Sequence, residues 1–526
     1  SVASDAAGNV YLAGYTNSPN NIASGGFQNT IGGGNDAYLV KFDGVTGARL
    51  WATYYGGTGN DFATFVAPDA FGNVYLSGRT ASAASIASGG FQNVFGGGSQ
   101  DAFLVKFNAT TGARIWATYY GDAGIDVGYC VSTDAVGNVF LSGRTDSPAN
   151  IASGGFQNVP GGGGNEDAFL VKFDAAGARV WATYYGGALD DEGYCVATFG
   201  GNVYMAGRAR STTGIAAGGF QNVLSGLSID GFLVKFDIAT GNRIWGTYYG
   251  GSGSEEIFND ALDIDASGNI YLAGDAYSPN TGNAIAIGGH QNALVGAENM
   301  FLAKFDPNGN RICATYYGQM HEEIGCVAVD NAGNVYLGGA TQSLFFIASG
   351  GFQNTHGGGT WDGFLVKFTT CSTVLSVSAS STNPPCYALC TGTATANPAN
   401  GTPTYTYSWN TIPVQTTQTA TGLCAGTYTV TVTDAVLATS TAVVTITQPP
   451  TAITSTITSS GTTCGNTNGT ATVAASGGTT SYSYLWSPSG GTGSTANALA
   501  PGTYTIIVTD ANGCKDTNTA TIVTSN

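Results

Sequence analysis

The stretches GNVYLAGYT (residues 8–16) and DAYLVKFDGVTGARLWATYYGG (residues 36–57) decide the fold, because the chain repeats both of them. The first stretch returns as GNVYLSGRT at Gly72, GNVFLSGRT at Gly137, GNVYMAGRA at Gly201, GNIYLAGDA at Gly268 and GNVYLGGAT at Gly333. DAYLVKF and RLWATYYG return in the same order at similar spacing. The repeat is about 65 residues long. A repeat of this length predicts a solenoid, a propeller or an array of small units.

Each repeat contains four predicted strands. In the second repeat these are FATFVAPD (62–69), NVYLSGRT (73–80), AFLVKF (102–107) and RIWATYYG (114–121). They alternate or are rich in β-branched and aromatic residues, and short turn sequences such as DAFGN (69–73) separate them. No segment has a sustained helical period. Four antiparallel strands per repeat predict one propeller blade, so residues 1–370 are predicted to form an all-β propeller.

The number of blades depends on how the ring closes. The second and third strands occur six times, but the fourth is clear only five times, because after Phe368 the chain continues as TTCSTVLSVS. The first strand of the first repeat is shortened to SVASD. We expect six blades, with seven as the alternative. Closure would use one composite blade or a WATYYGG-like strand from a lost N-terminal segment of a longer precursor.

The ordered motifs GNVYLAGxT, DAFLVKFD and GARxWATYYGG resemble the "seven-bladed β-propeller" repeat family of bacterial secreted surface proteins. The resemblance covers residues 1–370. It implies a propeller on an extracellular protein and implies no catalytic residues. Residues present in nearly every repeat, such as Lys41, Trp51 and the Phe27 of the ASGGFQN tag, are therefore interpreted as scaffold.

One set of acidic residues recurs at nearly constant spacing, in the loop between the fourth strand of one repeat and the first strand of the next. The set is Asp61, Asp126, Asp191, Glu256 and Glu322. We expect these carboxylates to surround the mouth of the central channel, where they would share a hard cation such as calcium. The alternative is that each is a solvated loop carboxylate that accepts hydrogen bonds from the backbone.

The composition limits the class of function. Of 526 residues 80 are glycine, 43% are hydrophobic and 9% are charged, with a net charge of −17. That apolar content argues against disorder, and the acidic balance argues against a nucleic-acid partner. No apolar run approaches the ~20 residues that span a bilayer. Three histidines and no CxxC pair favour neither a zinc site nor a catalytic triad. We therefore expect no enzyme, no cofactor other than calcium, and no membrane insertion.

The composition changes at Cys371, after which charged residues nearly vanish and Thr and Ser dominate. Two similar segments follow, with GTPTYTYSWN (401–410) and LCAGTYTVTVTDA (423–435) in the first, and GGTTSYSYLW (477–486) and LAPGTYTIIVTDANGC (499–514) in the second. Short alternating strands predict two Ig-like β-sandwich modules, at 371–449 and 450–526. Trp409 and Trp486 are their predicted core aromatics.

Both segments resemble the SprB-type repeat of a gliding-motility surface adhesin from bacteria that use type IX secretion. The resemblance implies cell-surface display, adhesion or a filament-like stalk, and it implies a Cys464–Cys514 bridge in the second module. In the first module Cys390–Cys424 is the preferred pair and Cys371–Cys386 the second choice, and the propeller offers Cys130–Cys195 and Cys313–Cys326. Connectivity does not follow from the sequence alone.

These observations favour a non-catalytic, secreted cell-surface protein with an adhesive or structural role. Its expected partners are other surface proteins, further copies of itself in a filament or surface layer, and glycans. The first alternative is a lectin-like propeller that binds glycans with the help of calcium. The second is a polysaccharide-active enzyme, for which the fifth repeat offers Glu255, Glu256, Asp260 and His290.

Overall fold

A computed structural model describes residues 1–525 except 163–164, 227–228, 259, 282–283, 346, 369–374, 400–403, 435–438 and 464–465. The chain divides into two compact units, Ser1–Ser372 and Thr373–Asn526. Antiparallel β-sheets build both units, and the described residues contain no α-helix. The all-β prediction is confirmed. Among the described residues, no helix has the length and apolar character to cross a bilayer.

Within its described residues, the first unit contains six successive antiparallel sheets, which we number 1–6. Sheet 1 contains β1 (Val2–Ser4), β2 (Val10–Thr16), β3 (Asp36–Phe42) and β4 (Arg49–Tyr55). Sheet 2 contains β5 (Asp61–Pro68), β6 (Asn73–Thr80), β7 (Asp101–Asn108) and β8 (Arg114–Tyr120). Sheet 3 contains β9 (Asp126–Thr133), β10 (Val139–Thr145), β11 (Asp167–Phe173) and β12 (Arg179–Tyr185).

The remaining three sheets of this unit follow the same order. Sheet 4 contains β13 (Asp191–Phe199), β14 (Asn202–Ala209), β15 (Asp230–Asp237) and β16 (Arg243–Tyr249). Sheet 5 contains β17 (Glu255–Glu256), β18 (Leu262–Ile264), β19 (Ile270–Ala276), β20 (Asn299–Phe305) and β21 (Arg311–Tyr317). Sheet 6 contains β22 (Glu322–Val329), β23 (Val335–Thr341) and β24 (Asp362–Phe368). These sheets are consistent with propeller-like blades.

The turn between the first and second strands is built from an aspartate and a glycine. In sheet 2, Asp69 Oδ1 accepts hydrogen bonds from the backbone N–H groups of Phe71 and Asn73, both at 2.8 Å. Gly72 lies in the left-handed region at φ 79°, which favours glycine. The recurring DAxGN motif therefore encodes this hairpin.

Neighbouring sheets are joined by the residues that repeat. Trp116 is buried at the end of sheet 2, and its Nε1–H donates to the Ala175 carbonyl of sheet 3 at 3.1 Å. The Lys106 ammonium donates to the same carbonyl, also at 3.1 Å. Phe91 of the tag lies between Tyr120 of its own sheet and Phe173 of the next, with ring centroids 6.3 and 6.4 Å away. The interpretation of these residues as scaffold is confirmed.

The second unit contains four three-stranded sheets and one short parallel pair among its described residues. Its first half has β25 (Ser376–Thr382), β26 (Gly392–Ala399) and β28 (Thr419–Leu423) in one sheet, and β27 (Thr406–Trp409), β29 (Gly426–Thr433) and β30 (Thr439–Ile446) in the other. Its second half has β31 (Thr454–Ser460), β33 (Gly469–Ser476) and β35 (Thr495–Leu499), then β34 (Ser483–Ser487), β36 (Gly502–Thr509) and β37 (Lys515–Ile522). The short pair is β32 (Thr462–Thr463) with β38 (Thr524–Ser525).

Trp409 and Trp486 each lie at the centre of a separate apolar core in this unit, as predicted. The Trp409 core includes Val430 and Val432 of β29, and the Trp486 core includes Ile506 and Val508 of β36. The alternation of Tyr, Val and Ile with Thr in GTYTVTVT and GTYTIIVT thus places one face of each strand against the core.

The disulfides correct part of the sequence prediction. Cys390 bonds Cys424, the pair favoured from the sequence, but Cys514 bonds Cys386 rather than Cys464. The Cys464–Cys514 and Cys371–Cys386 pairs are therefore wrong. Cys371 and Cys464 lie outside the described residues. The physical reason is that Cys386, from the first half, reaches the DANGC turn of the second half, where Asn512 Nδ2 also donates to the Pro385 carbonyl at 3.0 Å.

Two further predicted pairs are absent, because Cys130, Cys195 and Cys326 are free thiols. Cys130 and Cys195 lie on first strands of neighbouring sheets, but each thiol points to a backbone carbonyl. The Cys130 thiol lies 3.7 Å from the carbonyl of Val196, and that of Cys195 lies 2.9 Å from the carbonyl of Phe258. The predicted Cys130–Cys195 and Cys313–Cys326 bridges are wrong.

Candidate functional site

The predicted acidic residues begin the first strands, but they do not converge on a shared site. Asp61, Asp126, Asp191 and Glu322 are completely buried. The described residues contain no group of three or more His, Cys, Asp or Glu side chains placed to hold a metal. The expected ring of channel-mouth carboxylates is therefore wrong. The alternative is wrong in placing these carboxylates in solvent, but it is right that they accept hydrogen bonds from backbone N–H groups. Calcium binding stays a prediction.

Each of these carboxylates closes the turn of its own sheet. Asp61 accepts hydrogen bonds from the Gly57 N–H and the Ser82 hydroxyl, both at 2.8 Å, and from the Thr80 hydroxyl. Asp191 accepts from the N–H groups of Gly187 at 2.8 Å and of Arg210 at 3.1 Å. The turn leaves these donors buried, and the carboxylate satisfies them.

In sheet 5 the carboxylate that closes the turn is Glu255, one residue before the predicted Glu256. Glu255, not Glu256, pairs with the end of the second strand and accepts from the Gly251 N–H at 2.7 Å. Glu256 is half-buried, and its carboxylate lies 3.3 Å from the Arg208 guanidinium. Adjacent strand residues point to opposite faces, so these two glutamates do not form a facing acid pair. His290 packs beside Tyr317, with ring centroids 6.2 Å apart, as the tag phenylalanines do.

The turn carboxylates have a second acidic neighbour at the start of the third strand. Asp101 and Asp126 flank Gly121, where an added Cβ would lie 2.8 Å from the Asp101 carboxyl carbon and 2.6 Å from Asp126 Oδ2. Both side chains are buried, and each keeps an Oδ1 without a partner. Burial raises the pKa of Asp101 to about 7 and that of Asp126 to about 6. Similar pairs occur as Asp36 with Asp61, Asp167 with Asp191, and Asp230 with Glu255.

The raised pKa values mean that these carboxyl groups bind protons more tightly in the folded state than in the unfolded chain. We therefore expect the free energy of unfolding to fall as pH rises from about 4 to 7. Asp101→Asn should reduce the dependence of stability on pH. It should also raise the free energy of unfolding at pH 8 by roughly 1–3 kcal/mol, since the new amide N–H can donate to the Asp126 oxygen that lacks a partner. Asn299 fills this position in sheet 5 and donates to Glu322 at 3.1 Å.

Urea unfolding of the wild type and Asp101→Asn between pH 4 and 8 measures both effects. Asp43→Asn is the control, because Asp43 lies in an exposed turn whose N–H groups hold its pKa below the usual range. An unchanged dependence of stability on pH for Asp101→Asn, or a loss of stability at pH 8, would contradict the raised pKa of the buried Asp101 carboxyl.

The sheets differ from one another in a row of charged and aromatic side chains, which we call the variable row. Its first part centres on Glu192, whose carboxylate lies 2.7 Å from Arg208 and 4.0 Å from Arg144. The hydroxyls of Tyr129 and Tyr194 donate to Glu192 at 3.2 and 2.5 Å, and the two rings stack 4.5 Å apart. Burial opposes ionisation of Glu192, but the bonds from Tyr194 and Arg208 outweigh it and lower the pKa of Glu192.

The second part of the variable row lies on sheets 5 and 6. The Tyr277 hydroxyl donates to Glu298 at 2.5 Å, and His321 Nδ1 lies 2.6 Å from the other Glu298 oxygen. His321 also meets the Trp361 ring edge-on at 5.4 Å. Burial raises the pKa of Glu298 against the effect of the Tyr277 hydrogen bond. Tyr277 and Trp361 remain 40% and 37% exposed.

The variable row combines exposed aromatic faces with fixed polar groups, which is the chemistry that binds sugar rings. Sequence reasoning named Glu256 here and missed the rest of the row. Some of its members carry a signal that could have been used, because they depart from the residue found at the same position of other repeats, as Glu192 does from Val127 and Phe62.

A family model described as the SprB repeat matches residues 378–414 and 456–491. These two segments lie in the first and second halves of the second unit. SprB repeats are typical of cell-surface proteins, and the two described disulfides fit an extracellular location. No curated protein shows significant sequence similarity to the chain.

Among solved structures, the chain is similar to the phage phi92 endosialidase at 11% identity and a TM-score of 0.27, over 64% of this chain and 56% of that one. It is also similar to an ulvan lyase of polysaccharide lyase family PL25, at 11% identity and a TM-score of 0.33, over 76% and 89% of the two chains. A lignostilbene dioxygenase of Pseudomonas brassicacearum matches at 9% identity and a TM-score of 0.30, over 82% and 86%.

Proposed function

We propose that this protein is a non-catalytic, extracellular surface adhesin. In this proposal the first unit is a six-bladed propeller that serves as the binding head. The second unit consists of two Ig-like SprB-type modules that connect the head to the cell surface. The observation that carries the proposal is the pair of SprB matches on two halves that the Cys386–Cys514 bond joins covalently.

The adhesive surface of the head is assigned to the variable row. The repeated carboxylates, lysines and tryptophans are occupied by turn and inter-sheet contacts, so they are poor candidates for a ligand. The variable row instead offers Trp361 and Tyr277 as partly exposed stacking surfaces beside the partly exposed His321. The buried Glu298 holds Tyr277 and His321 in place. Polysaccharide is the ligand class that fits this combination, since sugar rings stack on aromatic faces while their hydroxyls bind polar groups at the edge.

We expect the full chain to bind at least one member of a panel of immobilised polysaccharides, and Trp361→Ala to weaken that binding about tenfold or more, as removal of an aromatic anchor does. Biolayer interferometry measures the affinity. Phe71→Ala is the matched control, because Phe71 is an exposed aromatic in a hairpin turn away from the row. Equal binding by the wild type and Trp361→Ala would contradict the assignment.

The same experiment separates the proposal from its two alternatives. Loss of binding in a chelator, restored by calcium, would favour a calcium-assisted lectin. Release of shortened oligosaccharides, detected by chromatography of the supernatant, would favour a polysaccharide-active enzyme. Binding that persists in chelator without product is the outcome expected for a non-catalytic adhesin.

A further inference from the structure

Sheet 6 differs from the other sheets at its outer edge. In sheets 1–5 a fourth strand pairs with the third, whereas among the described residues no strand pairs with the outer edge of β24. Leu365, at the centre of β24, is 74% exposed. The equivalent residues of sheets 1–4 are completely buried: Leu39, Leu104, Leu170 and Leu233. An open groove of about 1080 Å³ lies along this edge.

The tag loop that borders the groove keeps the conformation it has in the complete sheets. Gln353 Nε2 donates to the Thr355 carbonyl at 2.9 Å, as Gln92 does to Val94 at 3.0 Å. Asn354 Nδ2 donates to the Gly351 carbonyl at 3.2 Å, like its counterpart in sheet 2. The loop is therefore already arranged for a neighbour.

In sheet 2 that neighbour is the fourth strand, β8. The Gln92 N–H donates to the Thr118 hydroxyl at 2.7 Å, and the Tyr119 N–H donates to the Gln92 carbonyl at 2.9 Å. The tag phenylalanines of sheets 1–4 are 38–40% exposed, because each packs against a fourth-strand tyrosine. Phe352 of sheet 6 is fully exposed.

The second glycine of the tag loop shows that the space of a fourth strand is open in sheet 6. A Cβ added to Gly90 in sheet 2 would lie 2.6 Å from the Ala117 carbonyl oxygen of the fourth strand, and Gly289 in sheet 5 is equally crowded by Thr315. A Cβ added to Gly351 would meet no atom closer than 4.0 Å, and that atom belongs to its own loop. Glycine at this position is therefore required by a strand, yet in sheet 6 the space is open.

We propose that the edge of β24 binds an extended strand with the fourth-strand pattern of this repeat, Arg-x-Trp-x-Thr-Tyr-Tyr, from a polypeptide outside these 526 residues. The five copies of this pattern in the sequence, with Cys313 for Trp in the last, are already β4, β8, β12, β16 and β21. Addition of a strand to an open sheet edge supplies main-chain hydrogen bonds, and the pockets for alternate side chains supply specificity.

Sheet 4 gives the expected register. There Phe232 pairs with Tyr248, Leu233 with Thr247 and Lys235 with Trp245. In sheet 6 the bound tyrosine, threonine and tryptophan would lie opposite Phe364, Leu365 and Lys367. A second copy of β24 is a poorer occupant, because DGFLVKF lacks the threonine that accepts from the tag glutamine and the tyrosine that packs on the tag phenylalanine.

The test uses a fluorescent peptide with the sequence of residues 177–187, GARVWATYYGG, and the full chain. Fluorescence anisotropy should show saturable binding that a scrambled peptide does not reproduce. Replacing the threonine of the peptide by valine should weaken binding several-fold, because the Gln353 N–H then lacks its acceptor.

Gly351→Val should weaken binding about tenfold or more, because its side chain fills the space of the strand. Its melting temperature should match the wild type, because the site is open without the peptide. Val223→Ala, at an exposed loop position of sheet 4, is the control and should bind normally. This inference does not rest on the proposed function, since polysaccharide binding by the variable row can fail while the peptide binds.

Two results would overturn the proposal. The first is absence of saturable binding, or binding that Gly351→Val leaves unchanged. The second is a dimer in sedimentation velocity that Gly351→Val abolishes and the peptide does not displace, because the occupant would then be a second copy.

Discussion

Replacing Trp181 by alanine is expected to lower the free energy of unfolding of the first unit by about 3–5 kcal/mol. Trp181 is 3% exposed and packs in a core that spans sheets 3 and 4. Its Nε1–H donates to the Ile238 carbonyl at 3.1 Å, so the substitution removes one of the two hydrogen bonds to that carbonyl and leaves a cavity between the sheets. The loss is large because this one side chain joins two sheets.

Val180→Ala is the matched control, because Val180 is the preceding residue of the same strand but points outward and is half exposed. It should change stability by less than about 0.5 kcal/mol. Urea unfolding followed by far-ultraviolet circular dichroism compares the two variants with the wild type. A similar, small effect for both would refute the role of the repeated tryptophan as the inter-sheet contact.

Removal of the Cys386–Cys514 bond, by Cys386→Ser together with Cys514→Ser, is expected to destabilise the second unit by about 4–5 kcal/mol. The bond closes a loop with a sequence separation of 128, so its loss increases the conformational entropy of the unfolded chain. Removal of the Cys390–Cys424 bond, with a separation of 34, should cost about 1 kcal/mol less.

Differential scanning calorimetry of the two double variants measures the comparison. The first should also increase cleavage between the two halves by a non-specific protease, while the second leaves it unchanged. If the double variant at 386 and 514 melted like the wild type, with the same cleavage pattern, the bond would not be what holds the halves together.

The sequence predicted the strands well, because most repeats carry the same local signals. DAxGN closes one hairpin, and the alternation in DAFLVKF and WATYYG places the same residues in each core. The prediction failed for Glu256, since equal spacing along the chain did not account for loop length. Counted from the last tyrosine of the fourth strand, Asp61, Asp191 and Glu255 all begin the next strand six residues later.

The candidate site was predicted less well, because its contacts join different sheets. The Glu192–Arg208–Glu256 series and the Glu298–His321 pair depend on how neighbouring sheets are placed, which no local pattern encodes. The Cys386–Cys514 bond was not predicted for the same reason, because it joins two halves that are similar in sequence. The open edge of β24 follows from a strand missing in one repeat, so that irregularity was visible in the sequence.

The bond between Cys386 and Cys514 also sets how the second unit responds to tension. A pulling force that enters near residue 386 passes through the sulfur atoms to residue 514 and bypasses the polypeptide between them. At a separation of 128 residues, roughly 400 Å of extended chain is thereby withheld from stretching. Under load the two halves would therefore extend together by a short distance, because the chain between the two cysteines cannot unravel while the bond is intact.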